Sequence, residues 1–574
     1  MDLEDKLEFV YGKYRKKFFL FSIVYLTISI SILYINRMHS YVSYDRITFE
    51  SSGSQLHANL YYPAKKLDFQ GDYPLIFYVH GIGSRRDLDI RIPIEFTKRG
   101  FFVITIDYQG HGESEGSIFD IDDETGKPAL AIICSDLLDY LEDKGVYKEK
   151  INPGQIGLLG HSLGGLIVLL NAALDNRFNA TVTWAGLVDA DLNKLDISKE
   201  DKKAFEKYHP KNLVDESNPK KLLAIQHRDD EILPYEDNAL YLHELTDCKL
   251  ITITEPLIGG AHNLNSNKVV IETIYWFEKV FFGSKYKNGP IQITYTTNYF
   301  LLAMSITAMF LTALSIILYG SKYFKIQFKL DESTLKNLNR EIPKKEKKQQ
   351  RKKIAKYIGI FTAIWAISVL IFRIFGLIVA PVSIILLYYF LKLRHYYKKS
   401  KCDRNFDFKE LLKNEFKLNI ILYSVFCTIV LLVCYGLFTS TYPFAFFIPG
   451  NFIFFLLAFS VYPWYLCMEL FYRKIVYPEL YFIKSPVMKT IIISLLAILT
   501  QCILMIFSLP YSIIQPVFAT FIVSLAVIIV NSIIYEKTKK FSSVMITSFL
   551  IIQIFFGSAI TTVLSVNSVI NAML

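Results

Sequence analysis

The chain has 574 residues, of which 52% are apolar, 15% aromatic and 20% charged, and its formal net charge is +10. The low charged fraction and the mean hydropathy of +0.30 exclude a disordered or fibrous protein. The charge is unevenly divided, because residues 40–285 hold 26 Lys and Arg against 38 Asp and Glu, whereas the rest holds 37 against 15. The one clearly water-soluble stretch is therefore acidic, which excludes a folded basic domain that binds nucleic acid.

The first apolar run, residues 18–35, contains 18 residues without a charge and directly follows Lys16 and Lys17. This length is enough to cross a bilayer core that is about 30 Å thick. The leading segment 1–17 carries several acidic residues, and no small-residue cleavage site precedes Asn36, which argues against a cleaved signal peptide. We therefore expect an uncleaved transmembrane anchor behind a cytoplasmic N-terminus.

Eight further apolar segments predict an all-α, multi-pass transmembrane domain over residues 299–565. They are residues 299–320, 358–373, 375–392, 419–438, 451–470, 490–509, 513–535 and 543–565. Cytoplasmic loops carry an excess of Lys and Arg, and the segments 321–357 and 393–418 hold 13 and 8 of them. With the N-terminus inside, these basic loops are cytoplasmic and the acidic block 40–285 is extracytoplasmic. The chain is thus predicted to be an integral multi-pass protein of the cell membrane.

Two charged features belong to this membrane half. The lysine-rich run from Lys344 to Lys356 is typical of an orientation signal that contacts anionic lipid, and not of a nucleic-acid-binding tail. Arg373 and Glu469 lie near predicted span ends, where long side chains are expected to reach the interface. Because the predicted spans contain almost no ionisable residue, an anchoring, oligomerising or lipid-gathering role is favoured over proton-coupled transport.

Within the acidic block, short apolar runs alternate with amphipathic patterns, which predicts a doubly wound, mostly parallel α/β sheet. The predicted strands are 47–50 and 56–62 as a hairpin, then 75–80, 102–107, 156–160, 181–184, 222–226 and 250–254. The predicted helices are 87–99, 129–144, 163–175, 235–246 and 267–281. Ligands of such sheets bind at the carboxyl ends of the strands.

A candidate nucleophile, Ser162, stands at one of these strand ends in the sequence Gly-His-Ser-Leu-Gly. Glycines flank the serine because a sharp turn from strand to helix leaves no room for side chains, and the turn exposes the hydroxyl at a helix N-terminus. The pattern alone is weak, since Ser114 lies in a second match, Gly-Glu-Ser-Glu-Gly. An acidic loop follows Ser114, so we assign Ser162 as the nucleophile.

A nucleophilic serine needs a base and an acid that orients the base. The loop after strand 222–226 contains Asp229, Asp230 and Glu231, and Asp230 is favoured because it lies four residues before Pro234 in the loop that precedes the next helix. The predicted base is His262, which follows the last strand in a glycine-rich loop. The oxyanion of acyl transfer needs backbone donors, for which we expect the amides of Leu163 and Ile82.

These segments resemble the α/β-hydrolase superfamily, in particular its serine aminopeptidase and monoacylglycerol-lipase-like branch. The resemblance rests on the motifs YVHGIGSRRDL, ITIDYQGHGESEG, GHSLGG, DDEILP and GGAHN, which occur in that order within residues 45–282. It implies an α/β-hydrolase fold, Ser162 as nucleophile, Asp230 as acid and His262 as base, with no metal and no organic cofactor. The stretch between Trp184 and Lys220, where such enzymes carry a lid, is short and highly charged here.

The sequence therefore predicts a membrane-bound serine hydrolase that cleaves an ester, such as a lipid or amphiphilic acyl ester, through an acyl-enzyme intermediate. A peptidase or an acyltransferase with the same triad is the alternative among enzymes. From another class, a transporter or receptor could use a hydrolase-like domain only to bind its ligand. The expected partners are a small-molecule or lipid acyl substrate and the lipid bilayer, without nucleic acid, and the sequence leaves the oligomeric state open.

Overall fold

The computed structural model describes residues 14, 16–31, 43–63, 72–144, 150–190, 198–257, 260–283, 289–326, 341–372, 415–441, 462–483, 485–508 and 511–554. Three predicted features lie wholly or mostly outside these residues: the N-terminal tail 1–17, the span 375–392 and the loop 393–418. The ends of several other predicted spans, such as 451–470 and 543–565, are also not described.

The chain divides into two compact units. The sheet unit consists mainly of Ser29–Met304, and the helical unit consists mainly of Met1–Ile28, Ser305–Thr441 and Phe452–Ile560. Helix α1 covers residues 16–31. The strands of the sheet unit are β1 (Tyr44–Ser51), β2 (Ser54–Tyr61), β3 (Tyr73–Val79), β4 (Phe102–Asp107), β5 (Ile151–His161), β6 (Ala180–Trp184), β7 (Leu222–His227) and β8 (Lys249–Ile253). Its helices are α2 (Arg91–Thr97), α3 (Ile133–Asp143), α4 (Leu163–Leu174), α5 (Lys199–Lys207), α6 (Pro210–Leu213), α7 (Tyr241–Thr246) and α8 (Asn267–Phe282).

The eight strands form one sheet in the order β1-β2-β4-β3-β5-β6-β7-β8. β2 runs antiparallel to both neighbours, and every pair from β4 to β8 is parallel. β4 is buried along its whole length, and so is β3 after its first residue, as expected for central strands that are covered on both faces. All eight predicted strands are present, and the prediction of an α/β-hydrolase fold with a mostly parallel sheet is confirmed.

The register of the parallel strands brings the candidate functional segments to one edge. Val79 pairs with both Ile106 and Gly160, and His161 pairs with Trp184, so β3, β4, β5 and β6 end at nearly the same level. β7 and β8 end together as well, where His227 pairs with Ile253. The loops that contain the candidate acid and base therefore start from the same carboxyl edge as the candidate nucleophile.

Two helices between β6 and β7 are absent from the prediction. α5 has the sequence KEDKKAFEK and contains no buried residue, so it lacks the apolar periodicity that identifies a helix. Its one aromatic side chain, Phe205, packs edge-on against Phe119 with a centroid distance of 6.3 Å. Ser198 caps α5, its hydroxyl accepting a hydrogen bond from the Asp201 amide at 3.0 Å. The predicted short charged stretch therefore contains a capped surface helix.

The helical unit contains further helices, which follow α9 (Tyr295–Gly320) in the chain. They are α10 (Lys344–Phe372), α11 (Leu418–Thr441), α12 (Tyr462–Leu470), α13 (Pro486–Ser508), α14 (Tyr511–Thr538) and α15 (Phe541–Ile554). Among the described residues, one helical stretch, Tyr295–Phe324, is long and apolar enough to cross a membrane. Shorter apolar stretches include Leu418–Cys434 and Met488–Thr500. The multi-pass topology and its orientation stay predictions.

The expectation that Glu469 reaches an interface is wrong. Glu469 and Arg473 lie one helical turn apart with side chains that are only 3% and 1% exposed, and Arg473 Nε donates to Glu469 Oε2 at 2.9 Å. Tyr465 OH also donates to Glu469, at 3.2 Å. The pair stays buried because each charge satisfies the other inside the helical unit. Arg373, which carries the same expectation, lies outside the described residues.

Candidate active site

The candidate nucleophile sits on a strained turn between β5 and α4. Ser162 has φ 56° and ψ −119°, a conformation that residues other than glycine rarely adopt. Three backbone hydrogen bonds hold it there: its amide donates to Trp184 O at 2.9 Å, and its carbonyl accepts from the amides of Gly165 at 2.8 Å and Leu187 at 3.0 Å. α4 starts at the next residue, so the positive end of the helix dipole points to the serine.

The glycines around Ser162 are required by close backbone approaches. A Cβ on Gly160 would lie 2.1 Å from the carbonyl oxygen of Gly164, and a Cβ on Gly164 would lie 2.1 Å from the carbonyl oxygen of Val79. No side chain fits at such distances, so the two positions accept only glycine in this geometry. The sequence pattern around Ser162 therefore has a steric cause.

The second match to the pattern, at Ser114, has a structural role. Its hydroxyl donates to the carbonyl oxygen of Asp107 at 2.5 Å and accepts from the amide of His57 at 2.9 Å. These bonds join the loop after β4 to strand β2. A hydroxyl engaged in this way fastens a loop, in line with the choice of Ser162 as the candidate nucleophile.

The structure separates the three acids of the loop after β7. Asp230 is fully buried at its side chain, and its two oxygens lie 2.9 and 3.0 Å from Nδ1 of His262. Asp230 Oδ1 also accepts from the amides of Ile232 at 2.9 Å and Leu233 at 3.0 Å, and Oδ2 accepts from Gln226 Nε2 at 3.0 Å. Asp229 is exposed. Of the three acids, Asp230 is therefore the one that orients the His262 ring.

The third acid, Glu231, holds the backbone of the histidine loop. Its Oε2 accepts hydrogen bonds from the amides of Ala261 at 2.9 Å and His262 at 3.2 Å. A second support comes from the residue before the nucleophile, because His161 Nε2–H donates to the carbonyl oxygen of His262 at 3.0 Å. The rings of His161 and His262 lie 5.1 Å apart. His262 is thus fixed next to the turn that carries Ser162.

Two pKa shifts set the charges of this site. Burial raises the pKa of Asp230, but the hydrogen bond and the charge interaction with His262 and the two backbone amides outweigh it, so the net pKa is lowered and the carboxylate stays ionised. Burial and the neighbouring His262 lower the pKa of His161 to about 4. His161 is therefore a neutral donor at pH 7.

The two candidate oxyanion donors lie at the start of α4 and in the turn after β3. Leu163 is the first residue of α4, so its amide has no acceptor within the helix. Ile82 follows Gly81 in a turn that is closed by a hydrogen bond of 3.2 Å from the Ser84 amide to the Gly81 carbonyl oxygen. The amide of Ile82 takes no part in that hydrogen bond. A Cβ on Gly81 would lie 3.1 Å from Cβ of Ser162, so the two segments are in close contact.

A buried charge network supports the loop of Ile82, and sequence reasoning missed it. His80 Nδ1–H donates to the carbonyl oxygen of Gly81 at 2.8 Å, so His80 helps to fasten this loop. The Arg86 guanidinium pairs with Asp107 and Glu113, and its Nε donates to Asn59 Oδ1 at 3.1 Å. Although burial raises the pKa of Asp107, Arg86 holds it well below the ordinary value. The sequence does contain a signal for this network, because Arg86 lies in the motif after β3 and the acids Asp107 and Glu113 lie in the motif around the end of β4.

Arg91 connects the first helix of the sheet unit to the histidine loop. Its Nη1 donates to the carbonyl oxygen of Leu264, two residues after His262, at 3.0 Å. Its Nε and Nη2 donate to the carboxylate of Asp89 at 2.8 and 2.7 Å, and its guanidinium lies 5.0 Å from the ring centroid of Trp184. The histidine loop is thus held from three sides.

Within the described part of the chain, no group of three or more His, Cys, Asp and Glu side chains is arranged to hold a metal ion. Cys134 and Cys248 in the sheet unit are buried, and burial raises the pKa of both thiols. Neither cysteine has the character of a nucleophile.

Comparison with protein families finds a match within the sheet unit. Residues 73–254 match the family described as serine aminopeptidase, S33, which is about a third of the chain. A segment of 121 residues is 36% identical to an uncharacterized 31.7 kDa protein in the traX-finO intergenic region of Escherichia coli, covering 21% of this chain and 40% of that protein. A segment of 98 residues is 34% identical to the lysophosphatidylserine lipase ABHD12 of Danio rerio, covering 17% and 22%.

The chain spans less than half the length of these curated relatives. Among solved structures, a puromycin-hydrolyzing peptidase of Mycobacterium tuberculosis is 16% identical with a TM-score of 0.35, over 43% of this chain and 40% of that one. The matched family and the named lipase support a serine hydrolase enzyme.

Proposed function

We propose that the protein is a serine hydrolase whose nucleophile, base and acid are Ser162, His262 and Asp230. The observation that carries this proposal is the pair of 2.9 and 3.0 Å contacts between His262 Nδ1 and the buried Asp230 carboxylate, next to a serine on a strained turn at a helix N-terminus. Such an arrangement leaves Nε2 of His262 as the nitrogen that accepts a proton.

The chemistry begins with the hydroxyl of Ser162. Its oxygen bonds to the carbonyl carbon of the substrate while its proton passes to Nε2 of His262, and the carbonyl electron pair moves onto oxygen. The amides of Ile82 and Leu163 donate to that oxyanion, a contribution typically worth about 3 kcal/mol per donor. Asp230 stays ionised and stabilises the imidazolium through Nδ1–H.

Collapse of the tetrahedral intermediate breaks the bond to the leaving group, which takes the proton from Nε2 of His262. The acyl group is then an ester of Ser162. Water attacks it by the same route, with His262 accepting the water proton and returning it to Ser162 as the acid departs. An alcohol or amine in place of water would make the enzyme an acyltransferase, which is the alternative use of the same residues.

For the substrate, we favour an acyl ester with an amphiphilic or lipid character. Two considerations support this choice: one curated relative is named a lysophosphatidylserine lipase, and the sheet unit is joined to a helical unit with membrane character. The matched family is described as serine aminopeptidase, so an amide substrate is the alternative. Incubating the purified protein with short-chain esters, monoacylglycerols, lysophospholipids and aminoacyl amides separates these classes, and exclusive amide cleavage would contradict the ester assignment.

The helical unit is proposed to span the membrane as a multi-pass domain. Support comes from apolar stripes that face outward, which water would not tolerate on this scale. On α11, side chains spaced by three or four residues are exposed by 71, 49, 42, 53 and 54%: Leu418, Leu422, Val425, Ile429 and Val433. A second such stripe lies on α13: Met488, Ile491, Leu495 and Leu499.

Hydrogen bonds between buried polar side chains join neighbouring helices of the helical unit, among its buried apolar residues. Ser494 and Ser532 share a hydrogen bond of 2.7 Å between α13 and α14, and Asn531 Nδ2 donates to Tyr465 OH at 2.8 Å. Hydrogen bonds between side chains of neighbouring helices are a common device in membrane bundles. Exposed apolar stripes together with buried hydrogen bonds between helices are the features that we expect of a bundle in lipid.

The proposed orientation has the N-terminus and the basic loops in the cytoplasm, with residues 40–285 outside. External protease added to sealed cells is expected to cleave the 40–285 block while leaving the loop 321–357 intact. Protection of the block, with cleavage only after the cells are opened, would overturn this orientation.

The catalytic assignment is tested with a fluorophosphonate probe, which labels activated serines. The full-length protein is expected to be labelled, and Ser162→Ala is expected to abolish the labelling. Ser114→Ala is the matched control because Ser114 lies in the same sequence pattern, and its labelling per folded molecule is expected to be unchanged. Absence of labelling in the folded wild-type protein would contradict the enzyme proposal and favour a domain that only binds a ligand.

A further inference from the structure

The helical unit contains a groove between α10 and the segment that leads into α13. Its volume is about 640 Å³, which is within the range of ligand sites. Apolar side chains form its walls: Ile354, Ala355, Ile358, Leu480, Phe482, Ile483, Met488, Ile492 and Leu496. The polar side chains in its lining are Lys347 and Arg351.

The two cations lie at one end of the groove. Lys347, Arg351, Ile354 and Ile358 follow one another along a single face of α10, and at 1.5 Å per residue the lining covers about 16 Å of helix. Arg351 lies 6.0 Å from the ring centroid of Phe482, so the cationic end of the groove lies beside the segment that leads into α13. The groove is therefore amphipathic along its length.

Nearby acids are already engaged by other side chains. Glu346 accepts from Tyr481 OH at 3.0 Å, and Glu479 accepts from Lys353 Nζ at 2.8 Å and from Gln350. Both carboxylates therefore already have partners, and neither belongs to the lining of the groove. The cationic end of the groove therefore offers a net positive charge to an incoming group.

We propose that this groove binds one anionic phospholipid, with its phosphate between Lys347 and Arg351 and an acyl chain along Ile358 and Ile492. The inference rests on the proposed membrane placement, in which these cations lie at the cytoplasmic interface. Charge complementarity favours a phosphate, and a guanidinium donates two parallel hydrogen bonds to it. The apolar walls favour an attached chain over free phosphate, because an inorganic ion would leave them exposed. Basic pockets between membrane helices on the cytoplasmic side commonly hold such head groups.

The test uses the full-length protein in detergent, titrated with phosphatidylglycerol or phosphatidylcholine, with bound lipid counted by native mass spectrometry. We expect one phosphatidylglycerol to bind at least tenfold more tightly than phosphatidylcholine. Lys347→Gln combined with Arg351→Gln is expected to remove this preference, that is, to weaken phosphatidylglycerol binding about tenfold. The matched control is Lys348→Gln with Lys352→Gln, since both lysines are exposed, lie outside the groove lining and change the net charge equally.

Equal loss in the control pair would overturn the site, because it would show a diffuse charge effect. Equal affinity of the wild-type protein for both lipids would also overturn it. As a variant that tests the chain-binding wall, Ile492→Trp is expected to weaken both lipids, and unchanged binding would contradict the assigned position of the chain. Fluorophosphonate labelling of Ser162 is followed in every variant, so loss of the lipid site is distinguishable from failure of the proposed catalysis. Failure of the chain to insert into vesicles would instead refute the membrane placement.

Discussion

Replacing Asp230 with asparagine keeps the size of the side chain but puts an NH₂ donor in place of one acceptor oxygen. The carbonyl oxygen of the new side-chain amide would stay on the two backbone amides that Oδ1 now accepts, at 2.9 and 3.0 Å. The new NH₂ group would then occupy the place of Oδ2, facing Nδ1 of His262 at about the present 2.9 Å. Nδ1–H would then face a donor at the Oδ2 position, and its remaining acceptor, the oxygen at 3.0 Å, already accepts from two amides. This favours the imidazole tautomer with its proton on Nε2, and that tautomer cannot accept the proton of Ser162.

The expected loss in kcat for Asp230→Asn is roughly 10³- to 10⁴-fold, which corresponds to about 4–5.5 kcal/mol of barrier. The neighbouring acids provide matched controls. Glu231→Gln retains an oxygen for the two amides of the histidine loop and is expected to lose less than about tenfold. Asp229→Asn, at an exposed position, is expected to have no effect.

The assay is hydrolysis of p-nitrophenyl butyrate by the full-length protein, together with the rate of fluorophosphonate labelling and a thermal melt to confirm folding. If Asp230→Asn keeps more than a tenth of the wild-type kcat while folded, the tautomer argument fails. A larger loss in Glu231→Gln than in Asp230→Asn would show that the acid has been misassigned.

Three further predictions concern stability, each measured as thermal or denaturant unfolding of the sheet unit within the full chain. Because the folded-state pKa of His161 is about 4, below its ordinary 6.5, protonation favours the unfolded state and stability falls as the pH drops through this window. Between pH 8 and pH 5 this loss of stability is about 1–2 kcal/mol for a partly exposed ring. The variant His161→Gln keeps a donor for the His262 carbonyl and should lack this loss. If its stability depended on pH as strongly as that of the wild-type protein, the lowered pKa of His161 would be refuted. Gly164→Ala should destabilise by about 3 kcal/mol or more, since its Cβ would lie 2.1 Å from a carbonyl oxygen, and an unchanged melting temperature would contradict this steric argument. Arg91→Met should destabilise by about 3–5 kcal/mol by leaving the Asp89 carboxylate buried without its partner, and adding Asp89→Asn should recover part of the loss, whereas no recovery would point to lost packing instead.

The sheet could be predicted from the sequence because its buried strands are apolar runs and its tightest turn requires glycine. The apolar runs of β3 and β4 are continuous, and the glycines around Ser162 are demanded by contacts with backbone atoms, so both leave a visible pattern. Helix α5 could not be predicted in this way, since its stability comes from a serine cap and charged side chains instead of an apolar face.

Pairing between particular side chains is what the sequence does not show. The three acids after β7 are adjacent in sequence, and only the folded loop shows that Asp230 turns to the ring of His262 while Glu231 turns to its backbone. Similarly, Glu469 resembles an interfacial residue in the sequence because its partner, Arg473, falls in the predicted loop that follows. A salt bridge over one helical turn keeps both residues inside.

The neutrality of His161 follows from what His262 must do during catalysis. In the proposed mechanism the His262 ring becomes a cation in the transition state, 5.1 Å from the ring of His161. A second positive charge at that distance would oppose it by about 3 kcal/mol with an effective dielectric constant of about 20, enough to slow acylation by about two orders of magnitude. Burial prevents this by lowering the pKa of His161 to about 4, while the same ring still donates Nε2–H to the His262 carbonyl. The residue before the nucleophile thus positions the base without competing with it for charge, a combination that lysine or arginine at this position could not provide.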